Sequence, residues 1–502
     1  MARKKKIAKD KYKIEFVDRI LDPVHGFIDL TQVEKEIIEL PIFKRMQSLK
    51  QLSLTNWVFP GAEHTRYMHS LGVMYIADLM AINLKDSEYN LKYNDGERQL
   101  LRLAGLLHDI GHYPLSHVTE YVYNDNLFGQ NESLLSHNRG IKSSIDKLSD
   151  EEEGTSDYMK DRYSKPMHHE TMGTKVIEYD EDIKRIIEQH CPFIDIKDIQ
   201  DIIVGCVDRN PKISAMVQLI HSEVDADGID YVMRDATFSG TSYGGFELGL
   251  LLRNLVVESY NGVDIVGIRP KGISVVDQYL VSKYFAYTQV IFNRHVAIFD
   301  TMAEMFSKIL IKLDKSTYPS PQTLDSYIKM HNTNDEYLKF TDRAFWAQLD
   351  TIEKKDLELD GVIPGYAVKI YEKLLHYQEF DMAAEGEVII TSNDKKHVAE
   401  VLKSSDIYKM LLSEKEDKLM LFHSRGFTSQ VPEKAFRDVL DKINLDSTPE
   451  DRFMKYNTAR LQEGVAIIEK GKIPKLLVDD TRSIMSHLYG TKTYILREYI
   501  VE

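Results

Sequence analysis

An apolar segment that holds three histidines and an aspartate constrains this chain more than any other feature. It runs Ala104-Gly-Leu-Leu-His-Asp-Ile-Gly-His-Tyr-Pro-Leu-Ser-His117 and continues a helical repeat of apolar residues that begins at Leu100. Imidazole and carboxylate groups are costly to bury unless they are paired or bound to a metal ion. The sequence therefore predicts that His108 and Asp109 bind a metal at the end of a buried helix.

Two residues elsewhere in the chain complete the predicted metal site. His69 lies on a predicted helix after Arg66, and Asp227 lies in an acidic run. Two imidazoles and two carboxylates with open positions suit Fe, Mn, Zn or Ni, with Mg²⁺ as a candidate for a second, oxygen-rich position. Any one of these residues taken alone reads better as a structural histidine or aspartate, so the prediction rests on the set.

Further histidines cluster near the predicted ligands. Five of the 17 histidines fall between positions 64 and 117, which is more than an even spread would place there. Histidine titrates near neutral pH and serves well as a proton donor to a leaving oxygen. We take His112, His117, His169 and Glu170 as candidates for the surroundings of the reaction centre, and the remaining histidines, His25 among them, as structural or surface residues.

Composition sets the class of protein. The 502 residues are 43% apolar and 28% charged, which is ordinary for a globular protein. Two cysteines cannot build a disulfide framework or a thiolate metal site, and they favour a reducing compartment. We see no signal peptide and no membrane span, and we expect a cytoplasmic protein. A net charge of −15 argues against binding duplex nucleic acid and leaves a single strand or a small anion as ligands.

The periodicity predicts a mainly α fold in two parts. Residues 1–385 would form a helical core and residues 386–502 a smaller α+β region. Residues 14–40 appear irregular in pattern, and an acidic loop is expected at 149–165. Helices are predicted at 67–84, 100–108, 170–178, 183–190, 196–207, 214–234, 273–312, 366–382, 395–403, 433–443 and 480–488. Strands are predicted at 387–391, 418–422 and 493–496.

From about Ile20 to Met302 the chain resembles the HD-domain deoxynucleoside triphosphate triphosphohydrolases. The motifs that carry the resemblance are Asp22-Pro-Val-His-Gly-Phe-Ile28, His64-Thr-Arg-Tyr-Met-His-Ser-Leu-Gly-Val73, the His-Asp segment itself, His169-Glu170 and the run from Asp227 to Asp235. The resemblance implies a helical HD-domain fold. It also implies a reaction in which metal hydroxide attacks the α-phosphorus and releases deoxynucleoside and tripolyphosphate.

The resemblance implies a role for individual residues. His69, His108, Asp109 and Asp227 would bind the metal. Arg66 would hold the α-phosphate, His117 would be the general acid on the 5′ oxygen, and His112, His169 and Glu170 would line the cleavage centre. The sugar would be held by Gln51 and Asp235 at its 3′-hydroxyl, with Tyr231 packed against it.

The chain departs from the family at several substrate positions. Gly228 replaces a lysine that binds the outer phosphates, Lys283 and Tyr287 occupy a cationic and a histidine position, and Ile291 replaces the tyrosine that excludes a 2′-hydroxyl. The regulatory nucleotide site of the family falls on Glu39, Lys44 and Gln47. The resemblance also implies activation by a nucleotide and assembly into a homo-oligomer, a tetramer or a dimer, for which the C-terminal region would provide an interface.

Three functions remain open from the sequence. The leading one is dNTP triphosphohydrolase activity. The second is an HD-type phosphodiesterase or nuclease acting on another nucleotide or on single-stranded DNA, which Gly228 and Ile291 favour and the matching sugar residues oppose. The third is a nucleotide-binding regulatory protein with little turnover, against which the intact ligand set argues.

Overall fold

The protein is mainly α-helical, and the part of the chain that the structure describes contains three small β-sheets. A computed structural model describes residues 11–86, 88–124, 134–147, 166–330, 332, 335–358, 365–412, 417–428 and 448–501. The acidic loop expected at 149–165 and the helix expected at 433–443 lie outside these residues. Within the described ranges, no helix is both long enough and apolar enough to cross a membrane.

The helices before the C-terminal region form the bulk of the fold. In chain order they are α1 Gln32–Ile38, α2 Pro41–Lys44, α3 Arg66–Asn83, α4 Asp95–Leu107, α5 His117–Asn124, α6 Leu134–Lys147, α7 His169–Tyr179, α8 Glu181–His190, α9 Ile196–Val204, α10 Ser214–Ile220, α11 Ala226–Ser239, α12 Leu248–Arg253, α13 Ile273–Phe285, a π-helix Ala286–Ile291, α14 Arg294–Lys312, α15 Pro321–Lys329, α16 Glu336–Lys339, α17 Asp342–Thr351, α18 Lys354–Leu357 and α19 Ala367–Leu375.

The C-terminal region adds short helices and most of the strands. Its helices are α20 Lys395–Ser404, α21 Asp406–Leu412, α22 Pro449–Glu463 and α23 Met485–Leu488. The strands among the described residues are β1 Phe16–Asp22, β2 Gly26–Thr31, β3 Leu255–Tyr260, β4 Val263–Ile268, β5 Asp381–Thr391, β6 Lys418–Gly426, β7 Ala466–Ile467, β8 Lys475–Leu476 and β9 Thr491–Ile500. They form an antiparallel hairpin β1–β2, a sheet in the order β3–β4–β7–β8 with β4 and β7 parallel, and an antiparallel sheet in the order β5–β9–β6.

Close packing of α3 against α4 brings the predicted metal ligands together. The start of α4 is fixed by a capping box, in which the Asn94 side chain accepts a hydrogen bond from the Glu97 N–H. Gly105 allows the two helices to approach, because a Cβ there would lie 3.2 Å from Met74 Cα. The helix ends at Leu107, so His108 and Asp109 follow directly at its C-terminal end, as the apolar periodicity predicts.

The α7 helix lies against the same segment through two glycines. A Cβ on Gly111 would lie 2.1 Å from the backbone nitrogen of Gly173, so only glycine fits at position 111. Gly173 is in α7, the helix that begins with His169. This contact sets His169 beside the His-Asp segment.

The N-terminal region corrects one prediction. Residues 14–40, which we expected to be irregular, form β1, β2 and α1. Asp22 makes the turn between the strands by accepting hydrogen bonds from the N–H groups of Val24 and His25, and Gly26 follows with φ +72°. Most of β1 is exposed, so it lacks the in-out alternation that reveals a strand in sequence.

Several predicted helices are shorter than expected. The helix at 214–234 breaks at His221, the one at 273–312 breaks at Phe292 after a π-helix, and the one at 366–382 ends at Leu375. Only Met485–Leu488 of the helix at 480–488 is α-helical. Apolar periodicity continues across these breaks because the chain stays buried on both sides of them, so the pattern alone cannot show them.

The sheet β5–β9–β6 packs on both faces. One face meets α20, α21 and Ile145 of α6 in a small apolar cluster, and residues of β6 and β9 such as Leu419 and Tyr499 belong to the main core. Strand β5 begins at Asp381 and passes through the boundary expected between residues 385 and 386. A domain boundary here stays a proposal, and the strand favours placing it before Asp381.

Candidate metal centre

The four predicted metal ligands converge on one point. The Nε2 atom of His69 lies 2.9 Å from Asp227 Oδ1 and 3.8 Å from Asp109 Oδ2. The Nε2 atom of His108 lies 3.5 Å from Asp109 Oδ1 and 3.8 Å from Asp227 Oδ1. Ligand bonds of about 2.0–2.2 Å place donor atoms about 3–4 Å apart around a single ion. The spacing therefore fits a divalent cation held by two imidazoles and two carboxylates.

Hydrogen bonds behind the imidazoles aim their free nitrogens at this point. The Nδ1 atom of His69 lies 2.8 Å from Asp230 Oδ2, and that of His108 lies 2.8 Å from the Gly105 carbonyl oxygen. Each acceptor holds the ring proton on Nδ1 and leaves the Nε2 lone pair available. The Nε2 atom of His108 is buried and has no hydrogen-bond partner among the described residues, which a bound metal would explain.

The pKa values of both carboxylates of the centre are lowered. Burial alone would raise the pKa of Asp109, but Arg66, His108 and His69 together hold it well below its usual range. The pKa of Asp227 is also lowered, because the hydrogen bond and charge of His69 outweigh burial. His69 and Asp109 are fully buried, whereas 39% of the Asp227 side chain is accessible. The centre thus opens to solvent on the side of Asp227.

Asp230 links the centre to a buried ionic network that the sequence did not reveal. Arg234 donates one hydrogen bond of 2.8 Å to Asp230 Oδ2 and another of 2.8 Å to Asp22 Oδ2. His25, which we interpreted as a structural or surface residue, lies with Nε2 2.5 Å from Asp230 Oδ1. Asp230 follows Asp227 by three positions on α11, and that spacing was the available signal.

A second cluster lies beside the metal ligands and is built around Glu120. Its Oε2 atom lies 2.9 Å from His117 Nδ1 and 3.1 Å from His169 Nδ1. The rings of His112 and His169 stack at 4.3 Å, and His169 Nε2 lies 3.9 Å from Asp109 Oδ1. His112, His117, Glu120 and His169 also form a group able to hold a metal ion. Sequence reasoning missed Glu120, although it lies three residues after His117 on α5.

The pKa values of the residues in this cluster are shifted in different directions. Burial would lower the pKa of His169, but Glu120 and Glu170 outweigh it and raise the pKa. Burial and the positive charges of Arg66 and His169 lower the pKa of His112 well below its usual value, so His112 is neutral. Burial would raise the pKa of Glu120, and the two histidines lower it instead. His117 is the accessible member, with 55% of its side chain exposed.

A strained turn presents His117. Leu115 and Ser116 both adopt positive φ, at +49° and +56°, which is uncommon for residues other than glycine. Asp342 accepts a 2.7 Å hydrogen bond from the Leu115 N–H, and Ser116 Oγ donates to the Gln51 carbonyl at 3.0 Å. These contacts hold the turn in place from α17 and from the segment before α3.

Arg66 joins the turn to the metal ligands. Its Nη1 donates a 2.5 Å hydrogen bond to Asp109 Oδ2, and its Nε donates a 2.8 Å hydrogen bond to Ser116 Oγ. The side chain is buried between them. The guanidinium therefore lies at the centre, where the resemblance places an α-phosphate.

Two of the predicted sugar-binding residues, Gln51 and Asp235, are both hydrogen-bonded to His64. Asp235 Oδ1 lies 2.8 Å from His64 Nε2, and the Gln51 N–H donates to the His64 carbonyl oxygen at 3.0 Å. The Gln51 Oε1 atom is buried without a hydrogen-bond partner in the described part of the chain. His64 is a contact that the sequence did not single out.

A cavity of about 520 Å³ adjoins the centre at Asp227. Tyr231, Lys283 and Tyr287 line it, as three of the predicted substrate residues, and Tyr231 and Tyr287 meet edge to face at 6.3 Å. Ile291 lies at the end of the π-helix, outside the wall of this cavity. The volume is in the range of small-molecule sites.

Gly228 has no room for a side chain. A Cβ at this position would lie 2.4 Å from Tyr279 Oη and 2.7 Å from Asp225 Oδ1. It would also lie 3.5 Å from Lys283 Nζ. Lys283, reaching in from α13, thus supplies a cation next to the position where the family has a lysine.

The candidate regulatory residues lie together on the surface. Glu39, Lys44 and Gln47 are exposed, and Lys44 Nζ lies 2.5 Å from Glu39 Oε2. Gln47 lies on the 3₁₀ turn Arg45–Ser48, which directly follows Lys44. A regulatory role for these residues stays a prediction.

Known proteins resemble this chain over the region that contains the centre. Residues 66–216 match the family described as HD domain. An uncharacterized protein of Methanocaldococcus jannaschii is 30% identical over 56% of this chain and 48% of its own length. The deoxynucleoside triphosphate triphosphohydrolase SAMHD1 of Homo sapiens is 41% identical over 20% of this chain and 16% of its own length. The matched region spans about half the length of the first of these relatives and less of the second.

A solved structure supports the fold along the whole chain. A hypothetical protein of Aquifex aeolicus superposes with a TM-score of 0.61 and 21% identity, covering 96% of both chains. The family match covers His69, His108 and Asp109, and the superposition extends the fold to the C-terminal sheet. Residues 66–216 therefore match an HD domain, and part of the chain resembles deoxynucleoside triphosphate triphosphohydrolases.

Proposed function

We propose that this protein is a metal-dependent dNTP triphosphohydrolase that cleaves at the α-phosphorus. The observation that carries the proposal is the convergence of His69, His108, Asp109 and Asp227 at the edge of a cavity whose wall includes Lys283. A divalent cation there, Fe, Mn, Zn or Ni, with Mg²⁺ as a candidate second ion, would supply Lewis-acid activation of water and of the phosphate.

The chain's own residues account for the other requirements of the reaction. Arg66 would hold the α-phosphate, since its guanidinium already lies beside Asp109. His117 would give a proton to the departing 5′ oxygen, because it is accessible and hydrogen-bonded to Glu120. His112, His169 and Glu170 would surround the scissile bond and restrict water.

Sugar recognition would use Gln51 and Asp235, which are both hydrogen-bonded to His64. Gln51 Oε1, buried and without a partner among the described residues, would accept a hydrogen bond from the 3′-hydroxyl, and Asp235 would bond the same group. Tyr231 would pack against the sugar face. Ile291 lies outside the cavity wall, so bulk at this position gives no account of the exclusion of a 2′-hydroxyl.

Product analysis tests the proposal. Purified protein is incubated with Mn²⁺ or Mg²⁺ and each of the four dNTPs, alone and mixed, beside the four NTPs, and the products are separated by anion exchange. We expect tripolyphosphate and deoxynucleoside from wild type and neither from Asp109→Ala, which also loses metal. Intact dNTPs under every condition would refute the proposal.

One observation favours a second function, an HD-type phosphodiesterase or nuclease. Gly228 is packed so closely that the outer-phosphate lysine of the family has no place there. Shortening of a 5′-labelled single strand in the same buffers, with dNTPs left intact, would support this alternative.

We also propose that nucleotides regulate a homo-oligomeric form of the enzyme. The support is the resemblance together with the exposed cluster of Glu39, Lys44 and Gln47. Activity that appears only in the dNTP mixture, with a shift to a dimer or tetramer in light scattering, is the expected result. Activity with each dNTP alone, at unchanged mass, would contradict it.

A further inference from the structure

Arg425 is a cation of the cavity that comes from the sheet β5–β9–β6, far from every motif in the sequence. Arg425 lies near the end of β6, and its Cζ atom is 3.5 Å from the centroid of the Tyr287 ring. Its Nε atom is buried and has no hydrogen-bond partner in the ranges that the structure describes. Arg425 lines the same cavity as the metal ligand Asp227. A buried guanidinium donor beside a polar cavity is a ready contact for an anion.

The helical core fixes the position of this strand. Phe427, two residues after Arg425, stacks on Tyr284 of α13 with ring centroids 3.9 Å apart. Tyr284 Oη lies 2.6 Å from Thr493 Oγ1, and Thr493 is the residue paired with Arg425 across β6 and β9. Arg425 is therefore held against the cavity by contacts on its own strand and on the neighbouring one.

The other charged groups of the cavity do not by themselves account for the binding of a phosphate chain. Lys283 keeps its charge, because Tyr279, Glu223 and Asp225 raise its pKa against the effect of burial. Asp225 is engaged as the cap of α11, where it accepts hydrogen bonds from the N–H groups of Ser222 and Gly228. Because Gly228 cannot carry a lysine, the charge for a phosphate chain must come from outside α11.

We propose that Arg425 binds the outer phosphates of the substrate from the side opposite α11, so that the C-terminal sheet completes the active site. The proposal rests on the proposed function for the identity of the substrate, a nucleoside triphosphate. Lys283 and Arg425 both line the cavity, Tyr287 contacts both Arg425 and Tyr231, and Lys283 Nζ lies 5.9 Å from the centroid of the Tyr231 ring. Lys492 of β9 lines the cavity as a further cation.

Binding of inorganic tripolyphosphate to the metal-loaded protein tests this site without requiring turnover. Calorimetric titrations compare wild type, Arg425→Gln and Arg425→Lys, with an uncharged deoxynucleoside as the second ligand. We expect Arg425→Gln to bind tripolyphosphate about 10- to 100-fold more weakly, as for loss of a charged hydrogen bond, and Arg425→Lys to lie between. Deoxynucleoside binding should not change.

A matched charge control separates a local contact from net charge. Lys472 is an exposed lysine paired with Glu469 outside the cavity, so Lys472→Gln removes one positive charge and should leave tripolyphosphate binding unchanged. Melting temperature and bound metal are measured for each variant, so that a fold defect is recognised. Equal tripolyphosphate affinity in folded, metal-loaded Arg425→Gln and wild type would overturn the proposal.

Hydrolysis kinetics distinguish this inference from the proposed function. If dNTPs are substrates, Arg425→Gln should raise KM about tenfold or more and change kcat little, because the outer phosphates are bound alike before and during reaction. If no dNTP is hydrolysed but tripolyphosphate binding still depends on Arg425, the proposed function fails and the phosphate site stands. A fall in kcat alone, with unchanged KM and tripolyphosphate affinity, would refute the binding role.

Discussion

Asp230 Oδ2 lies 2.8 Å from His69 Nδ1, on the far side of the imidazole from Asp227 Oδ1, which lies 2.9 Å from Nε2. A carboxylate in this position orients a ligating histidine and raises its basicity. We therefore expect Asp230→Asn to weaken binding of a divalent metal by about 10- to 100-fold. Competition with a chelator, followed by elemental analysis, measures the change.

Asp78→Asn is the matched control for that experiment. Asp78 is another buried carboxylate with arginine contacts, to Arg98 and Arg102, and it is not part of the metal centre. Both variants should lose stability because a buried arginine loses one of its carboxylate partners, and only Asp230→Asn should lose metal affinity. Equal metal loss in the two variants, or none in Asp230→Asn, would contradict the orienting role.

Glu120 should control the pH dependence of the reaction. Burial would lower the pKa of His169, but nearby carboxylates raise it, and Glu120 has the largest effect among them. Replacing Glu120 with glutamine removes this charge, so His169 should lose its proton at lower pH. We expect the alkaline limb of the kcat profile to move down by about one pH unit or more.

The readout for Glu120→Gln is the shape of that profile with metal content unchanged. A uniform loss of rate at all pH values would indicate a structural role only. The same limb position in wild type and variant would show that Glu120 does not set the protonation of this cluster.

The convergence of the candidate metal ligands was predictable because their signals are local or chemically unusual. His108 and Asp109 interrupt an apolar helix pattern, and Asp227 sits in an acidic run, so each violates the expectation for a core residue. Asp230 and Glu120 were missed although they lie three residues from Asp227 and His117, a spacing that puts side chains on one helix face. The sequence contained that information.

The cavity wall could not be predicted in the same way. Arg425 and Lys492 lie in strands whose sequences look ordinary, and only the pairing of β6 with β9 and the docking on α13 bring them to the cavity. The helix breaks at His221 and Phe292 were likewise hidden, because both sides of each break are buried. Tertiary contacts, rather than local propensity, decide these features.

The packing around Gly228 predicts a stability change. An added Cβ meets Tyr279 Oη at 2.4 Å, so Gly228→Ala should destabilise the protein by about 1–3 kcal/mol. Tyr279→Phe removes the hydroxyl, which has no hydrogen-bond partner among the described residues, and should recover part of that loss in the double variant. Chemical denaturation measures the free energy of unfolding of all three variants.

Gly140→Ala controls for the general effect of replacing a helical glycine. Nothing lies within 4 Å of a Cβ at Gly140, in α6, so alanine there should be neutral or stabilise by about 0.5–1 kcal/mol. If Gly228→Ala behaves like Gly140→Ala, the close contact with Tyr279 is not a constraint.

Asp342 should make stability fall as the pH rises from about 4 to 6. Burial raises its pKa to about 6, against the hydrogen bonds from the Lys50 and Leu115 N–H groups. The folded protein then holds a proton that the unfolded chain releases near pH 3.9. Between these values the folded state binds more protons, so its stability decreases with rising pH, by about 2–3 kcal/mol in all.

Asp342→Asn isolates this contribution. Subtracting the unfolding free energies of variant and wild type at pH 4.5, 5.5, 7 and 8 removes the contributions of other carboxylates. The unfolding free energy of the variant minus that of wild type should increase with pH up to about pH 6 and then stay constant. A difference that stays constant over the whole range would show that Asp342 has an ordinary pKa.

Hydrolysis in ¹⁸O-water tests the central claim, cleavage at the α-phosphorus with release of the 5′ oxygen, most directly. Products of a dNTP reaction with the metal-loaded protein are analysed by mass spectrometry. The account predicts one ¹⁸O atom in tripolyphosphate and none in the deoxynucleoside. Label in a deoxynucleoside monophosphate released with pyrophosphate, or in the deoxynucleoside itself, would contradict it.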